Sequence, residues 1–172
     1  MHFSEKLENK TELLTESSRS KIDVWIKKFP QERKQSALIA ALFIAQEQNH
    51  GYLSKDLIAA VADYLQIPRV SAEEAATFYS MYEQNPVGKN VISVCTNVSC
   101  LLCGSKDIVK HLKNKLNIGF NETTSDGTFT LKEVECLGAC VGAPVMRVGS
   151  KYYENLTSAK IDEILKTLET NG

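Results

Sequence analysis

All the cysteine of this 172-residue chain, Cys95, Cys100, Cys103, Cys136 and Cys140, lies in two short groups. The first reads Cys95-Thr-Asn-Val-Ser-Cys100-Leu-Leu-Cys103-Gly104, the second Glu135-Cys136-Leu-Gly-Ala-Cys140-Val-Gly-Ala-Pro144. Charge vanishes around them. No Asp, Glu, Lys or Arg occurs from Val91 to Ser105 or from Cys136 to Met146, although such residues are 24% of the chain. Clustered thiols on uncharged segments are the donor set of a soft-metal site, because thiolates select zinc, copper(I) or iron–sulfur groups over hard cations.

The spacing admits four readings. Cys95 and Cys100 paired with Cys136 and Cys140 would supply two thiolates to each iron of a [2Fe–2S] cluster. Cys95-x4-Cys100-x2-Cys103 with a distant Cys136 also matches plant-type ferredoxin spacing. The helix expected directly after Cys103, and an unused Cys140, speak against that second set. Structural zinc held by four thiolates fits the same loops. Inert buried thiols are the last reading, and it suits Cys103, in Leu-Leu-Cys, best. Gly104, Gly138 and Gly142 let the backbone come close to a ligand. A poorly solvated anionic cluster would have a low potential, and Glu133 and Glu135 would lower it further unless they are solvated strand-edge charges.

The elements that must position these thiols follow from periodicity. Ile22, Trp25, Ile26 and Phe29 recur at helical spacing up to Pro30. Leu38, Ile39, Leu42, Phe43 and Ala45 define a second helix, and Leu57, Ile58, Val61 and Leu65 a third, capped by Ser54. Ser71-Ala-Glu-Glu74 reads as a capping box opening a fourth helix through Phe78, Tyr79 and Tyr82, an aromatic stripe expected first of all to pack in the core, the alternative being that part of it docks a partner protein. These helices predict a small bundle over 17–84, after a polar tail at 1–16, frayed or loosely docked. The pattern changes at Asn85-Pro86-Val87-Gly88. Val91–Val94 is a strand ending at Cys95, and Ser105 opens a helix with Ile108, Val109, Leu112 and Leu116 inward. After the turn Ser125-Asp126-Gly127, the alternating run 128–134 is a strand ending beside Cys136. A hairpin over 145–153 and a final helix capped by Thr157 complete a β-α-β-β-β-α unit over 85–172. The fold class is α+β, with the cysteines on loops at strand ends.

Composition narrows the function. The net charge is −1 with both signs spread along the chain, without the basic surplus of a nucleic-acid binder. No apolar run approaches the roughly 20 residues that span a bilayer. The first residues have no apolar core of a secretory signal, and Glu5, Glu8 and Glu12 argue against a mitochondrial transit peptide. A cytoplasmic bacterial-type or mature organellar protein is expected, where clustered cysteines are ligands or redox groups rather than disulfides.

The cysteine segments resemble those of the thioredoxin-like [2Fe–2S] ferredoxin subunits of NADH:quinone oxidoreductase, the bacterial respiratory complex I. The likeness extends upstream through Arg33-Lys-Gln-Ser-Ala-Leu, Gly51-Tyr-Leu-Ser, Ile67-Pro68 and Ala76-Thr-Phe-Tyr-Ser-Met-Tyr82, and covers about 17–168. It implies a thioredoxin-like α/β [2Fe–2S] domain behind the helical bundle. Its implied ligands are Cys95, Cys100, Cys136 and Cys140; Cys103 stands where the family does not require cysteine. It further implies FMN and NADH on a partner, the flavin- and NADH-binding subunit of the same complex. Beyond that partner it implies the larger iron–sulfur subunit, all on the cytoplasmic side of the inner membrane. There the cluster would exchange an electron with the flavin, off the main path to quinone. Equivalent subunits of NAD-linked hydrogenases and formate dehydrogenases share the cysteine pattern.

Other chemistry has little support. His2, His50 and His111 lie outside the cysteine loops, and His111 reads as a solvated surface group. No glycine-rich dinucleotide motif, phosphate loop or nucleophile elbow occurs. A zinc-stapled interaction module remains the reading from another class. A thiol oxidoreductase has only Cys100-x-x-Cys103 in its favour.

Overall fold

The computed structural model describes residues 9–170. The chain divides into two compact units, the first ending at Pro86 and the second beginning at Val87.

Among its described residues the first unit holds four α-helices: α1 (Glu16–Ile26), α2 (Leu38–Gln48), α3 (Lys55–Leu65) and α4 (Arg69–Phe78). Capping side chains define two of the starts. Thr15 Oγ1 accepts from the Ser18 N–H at the head of α1, and Ser54 Oγ from the Leu57 N–H at the head of α3. Ile22, Leu42, Ala45, Val61, Leu65 and Ala76 form one core. Fully burying a side chain such as Leu or Ile contributes roughly 1.5–3 kcal/mol, so this core is what makes short helices stable.

Two expectations change here, and for the tail one of its two alternatives is met. Residues 1–8 lie outside the described part, but 9–16 are docked rather than frayed: Leu14 is fully buried, and Lys10 reaches α3 through its N–H to Asp63 Oδ2 (2.9 Å) and its ammonium to Asp56. Helix α4 begins at Arg69 rather than at a Ser71 cap. Pro68, at φ −57°, sets the entry, and the Asp63 carboxylate grips the Arg69 guanidinium at 2.9 and 2.7 Å. The aromatic stripe is split, because α4 stops at Phe78 and Tyr79 is extended. Phe78 is 79% and Tyr79 42% exposed, whereas Tyr82 is buried and donates to the Ile39 carbonyl at 2.7 Å.

The second unit is a five-stranded mixed sheet in the order β2-β3-β1-β4-β5, with β1 (Asn90–Cys95), β2 (Glu122–Thr123), β3 (Phe129–Val134), β4 (Met146–Val148) and β5 (Lys151–Tyr153). Strands β1 and β3 are parallel, and the other pairs antiparallel. Between β1 and β3 run α5 (Val98–Leu102) and α6 (Ser105–Leu116), and α7 (Ser158–Thr170) closes the described chain. The two-residue β2 and the single-turn α5 are too short to carry a periodic signal. Ile92, Val94, Ile108, Leu112, Leu131, Ile161 and Leu165 share the core. His111, expected as a solvated group, instead meets Asp162 of α7 at 3.1 Å. Ser105 does not cap α6. Gly104, at φ +92°, holds that position, and Ser105 is the first buried residue of the helix.

Two stability outcomes are expected. Phe78→Ser should leave the melting temperature of the isolated chain nearly unchanged, since little apolar area is lost; a fall typical of a core truncation would put Phe78 inside. Asp63→Asn should cost about 1–3 kcal/mol by denaturant titration, as hydrogen bonds to charged partners do. The Arg69 hydrogen bonds, outweighing partial burial, hold the Asp63 carboxyl below the ordinary carboxylate range. Its contribution should therefore be complete above about pH 4 and fade as the pH falls below that range. A wild-type advantage over Asp63→Asn that is independent of acid pH would contradict the pairing.

Candidate metal centre

Because β1 and β3 run parallel and side by side, their carboxyl ends lie together. Cys95, the last residue of β1, stands opposite Val134, the last of β3, and the Thr96 N–H continues the ladder to the Val134 carbonyl at 3.1 Å. The loop bearing Cys100 therefore leaves the sheet at the same edge as the loop bearing Cys136 and Cys140. Carboxyl ends of parallel strands, where the chain departs in diverging loops, are where such sheets hold ligands.

Cys95 and Cys100 are the inner pair, 3% and 2% exposed. Asn97 caps α5 by accepting from the Val98 N–H, and this single turn brings Cys100 inward. Leu137, Ala139, Ala143 and Val145 pack against the two thiols. The Cys100 thiol is pushed up to about 11, first by burial and next by its hydrogen bond to Cys95, while the Val145 N–H works in the opposite sense. Cys95 Sγ lies 3.5 Å from the carbonyl of Glu135, the residue before Cys136, and the Cys95 N–H donates to the Val145 carbonyl at 3.1 Å.

Cys136 and Cys140 are the outer, exposed pair. Gly138 takes φ +71°, which turns its N–H onto Cys136 Sγ at 3.3 Å. Gly142 has a different reason to be glycine from the ligand approach expected of it. A Cβ there would stand 2.5 Å from Glu154 Cβ, and the Asn155 N–H bonds the Gly142 carbonyl at 2.6 Å. Segment 154–156 thus straps the Cys140 loop, which runs through the cis peptide Ala143–Pro144 into Val145. Neither Val145 nor Glu154 carries a sequence mark of this role, since one acts through its backbone and the other through a contact with a distant loop. Glu133 accepts from Thr96 Oγ1 at 2.8 Å, beside Cys95. Cys103, expected as an inert buried thiol, is instead exposed, because it lies at the C-terminal end of the short α5, past the turn that brings Cys100 inward.

Among the described residues no three His, Cys, Asp or Glu side chains gather as the ligands of a single ion. What the fold brings together is the buried thiol Cys95 and the start of the second cysteine loop at Glu135, with the Gly138 N–H directed at Cys136 Sγ in that loop. That donor chemistry fits an anionic thiolate-bound group, whose charge such N–H groups stabilise.

The model of the thioredoxin-like [2Fe–2S] ferredoxin family matches residues 22–169. The chain is 49% identical over 146 residues to an NADH-quinone oxidoreductase subunit of Rickettsia bellii, covering 85% of this chain and 87% of that protein. It is 42% identical over 157 residues to the mitochondrial NADH dehydrogenase flavoprotein 2 of Dictyostelium discoideum, covering 91% of this chain and 64% of that one. Among solved structures, the NAD+-reducing [NiFe]-hydrogenase in the air-oxidized state aligns with a TM-score of 0.65 at 21% identity, over 78% of this chain and 23% of that chain. That last likeness is one of fold.

The strap gives a test of the loop. Gly142→Ala must move Glu154 Cβ, which no side-chain rotation can do, and should cost about 1–3 kcal/mol, the usual effect of overpacking. Adding Glu154→Gly should recover part of the loss. Equal stability of Gly142→Ala and wild type in thermal melts would show that the two segments are not in contact.

Proposed function

Because the chain belongs to the thioredoxin-like [2Fe–2S] ferredoxin family, we propose that it holds one [2Fe–2S] cluster on Cys95, Cys100, Cys136 and Cys140 and exchanges an electron with the flavin of a partner protein. Its standing as an electron-transfer component rests on relatives named as parts of NADH-quinone oxidoreductase. The observation that carries the four-cysteine site is the meeting of both cysteine loops at the carboxyl edge of β1 and β3.

A bound cluster supplies reversible one-electron chemistry. The chain's own part is to bind, shield and orient. Cys95 and Cys100 supply buried thiolates, while Leu137, Ala139, Ala143 and Val145 keep water from that side. The N–H groups of Val145 and Gly138 offset negative charge on sulfur. The exposed side, with Cys136 and Cys140, is the route by which an electron enters or leaves.

We place FMN and NADH on the flavin-carrying partner, with the larger iron–sulfur partner beyond it, in the NADH-oxidising module of an NADH:quinone oxidoreductase. Among the described residues no helix is long and apolar enough to cross a membrane, so the partners would hold the chain on the cytoplasmic face of the inner membrane. The diaphorase of an NAD-linked hydrogenase is the second reading, favoured by the shared fold of the hydrogenase neighbour. The 49% and 42% identities to proteins named for NADH-quinone oxidoreductase and NADH dehydrogenase favour the first.

Anaerobic reconstitution of the purified chain should give a coloured protein with two irons and two sulfides, and an electron-spin-resonance signal on reduction. A colourless protein with stoichiometric zinc would overturn the proposal. Cys103→Ser should keep the chromophore, whereas Ser at Cys95, Cys100, Cys136 or Cys140 should weaken or alter it. Retention in Cys140→Ser with loss in Cys103→Ser would reassign the ligands to the plant-type set.

A further inference from the structure

Helix α6 begins with an anomaly. Its buried residues are Ser105, Ile108 and Leu112, at spacings of three and four, so all three lie on one face. Ile108 and Leu112 pack with Ile92 and Val94 of β1, which identifies that face as the one turned to the sheet. Ser105 stands one turn nearer the helix start, which puts it toward the end of β1 occupied by Cys95. It is 1% exposed, and its hydroxyl is the one side-chain polar atom among the described residues that is buried without a hydrogen-bond partner. Leaving a buried hydroxyl unpaired forfeits its hydration with nothing in return, and buried polar groups are seldom left so. Alanine would fill the same place without that cost and with better helix propensity. The retained hydroxyl needs an acceptor, and no group of the described residues, the thiols included, stands within hydrogen-bond reach of it.

We propose that the acceptor is the iron–sulfur group itself, and that the Ser105 hydroxyl donates a hydrogen bond to one of the sulfurs of the bound cluster. The inference rests on the [2Fe–2S] reading above. It assigns Ser105 a place beside the N–H donors of Val145 and Gly138, but with a proton that exchanges quickly with solvent once the site breathes. A donor to sulfur stabilises the more negative, reduced state and so raises the potential.

The test compares wild type and Ser105→Ala, both loaded with cluster. In Ser105→Ala the midpoint potential should move to more negative values, and the reduced cluster should lose one exchangeable proton coupling in pulsed electron-spin resonance after transfer to D2O. A merely structural serine would move neither. Unchanged potential and unchanged couplings in a fully loaded variant overturn the proposal. A wild-type chain with no [2Fe–2S] signal overturns the underlying reading instead. If Ser105→Ala loads poorly, Ser105→Gly removes the same hydroxyl at the first residue of the helix and is read in the same way.

Discussion

The parallel hydrogen-bond ladder between β1 and β3 is the constraint from which the rest of the second unit follows. A parallel pair places both carboxyl ends on one edge, so two segments 40 residues apart in sequence, ending at Cys95 and Glu135, come within 3.5 Å of each other. Had the pair been antiparallel, the two cysteine groups would leave the sheet at opposite edges. The crossover that parallel pairing requires is supplied by α5 and α6, and the same crossover carries Cys100 into the pocket. One topological choice thus serves both connectivity and the approach of the two cysteine segments.

Around that edge the chain separates shielding from access. Cys95 and Cys100 sit under an apolar layer from the opposite loop, whose members Leu137, Ala139, Ala143 and Val145 include no charged residue. Cys136 and Cys140 face outward on turns that depend on Gly138 and Gly142. An uncharged inner wall raises the cost of adding negative charge, and backbone N–H groups lower it again without introducing a titrating group. The strap from Glu154 to Leu156 fixes the outer loop through backbone bonds to Gly142 and Pro144, so the geometry of Cys140 depends on a segment beyond the hairpin.

The first unit shows a related economy. Asp63 receives the Lys10 N–H and the Arg69 guanidinium, joining the start of the described chain, the end of α3 and the start of α4 at one carboxylate. Its position explains why α4 starts at Arg69, although Ser71 is the residue with cap chemistry. Tyr82 similarly ties the end of this unit to α2 through the Ile39 carbonyl and an edge contact with Phe43 at 5.5 Å.

What could be read from the sequence was whatever local chemistry repeats or clusters. Apolar spacing located α1 to α4, α6 and α7, because a helix shows one face every three or four residues. Alternation and turn residues located β3 and the β4–β5 hairpin. Thiol spacing with the loss of charge marked both cysteine loops, since a metal-binding segment cannot easily carry competing ions. Tertiary structure decided the rest: which strands are neighbours, which thiols are inside, that Phe78 points outward while Tyr82 points in, that Gly142 makes room for Glu154, and that Ser105 is buried rather than capping. Each of these depends on a contact between residues far apart in the chain, and such contacts leave no period or motif in the segments that make them.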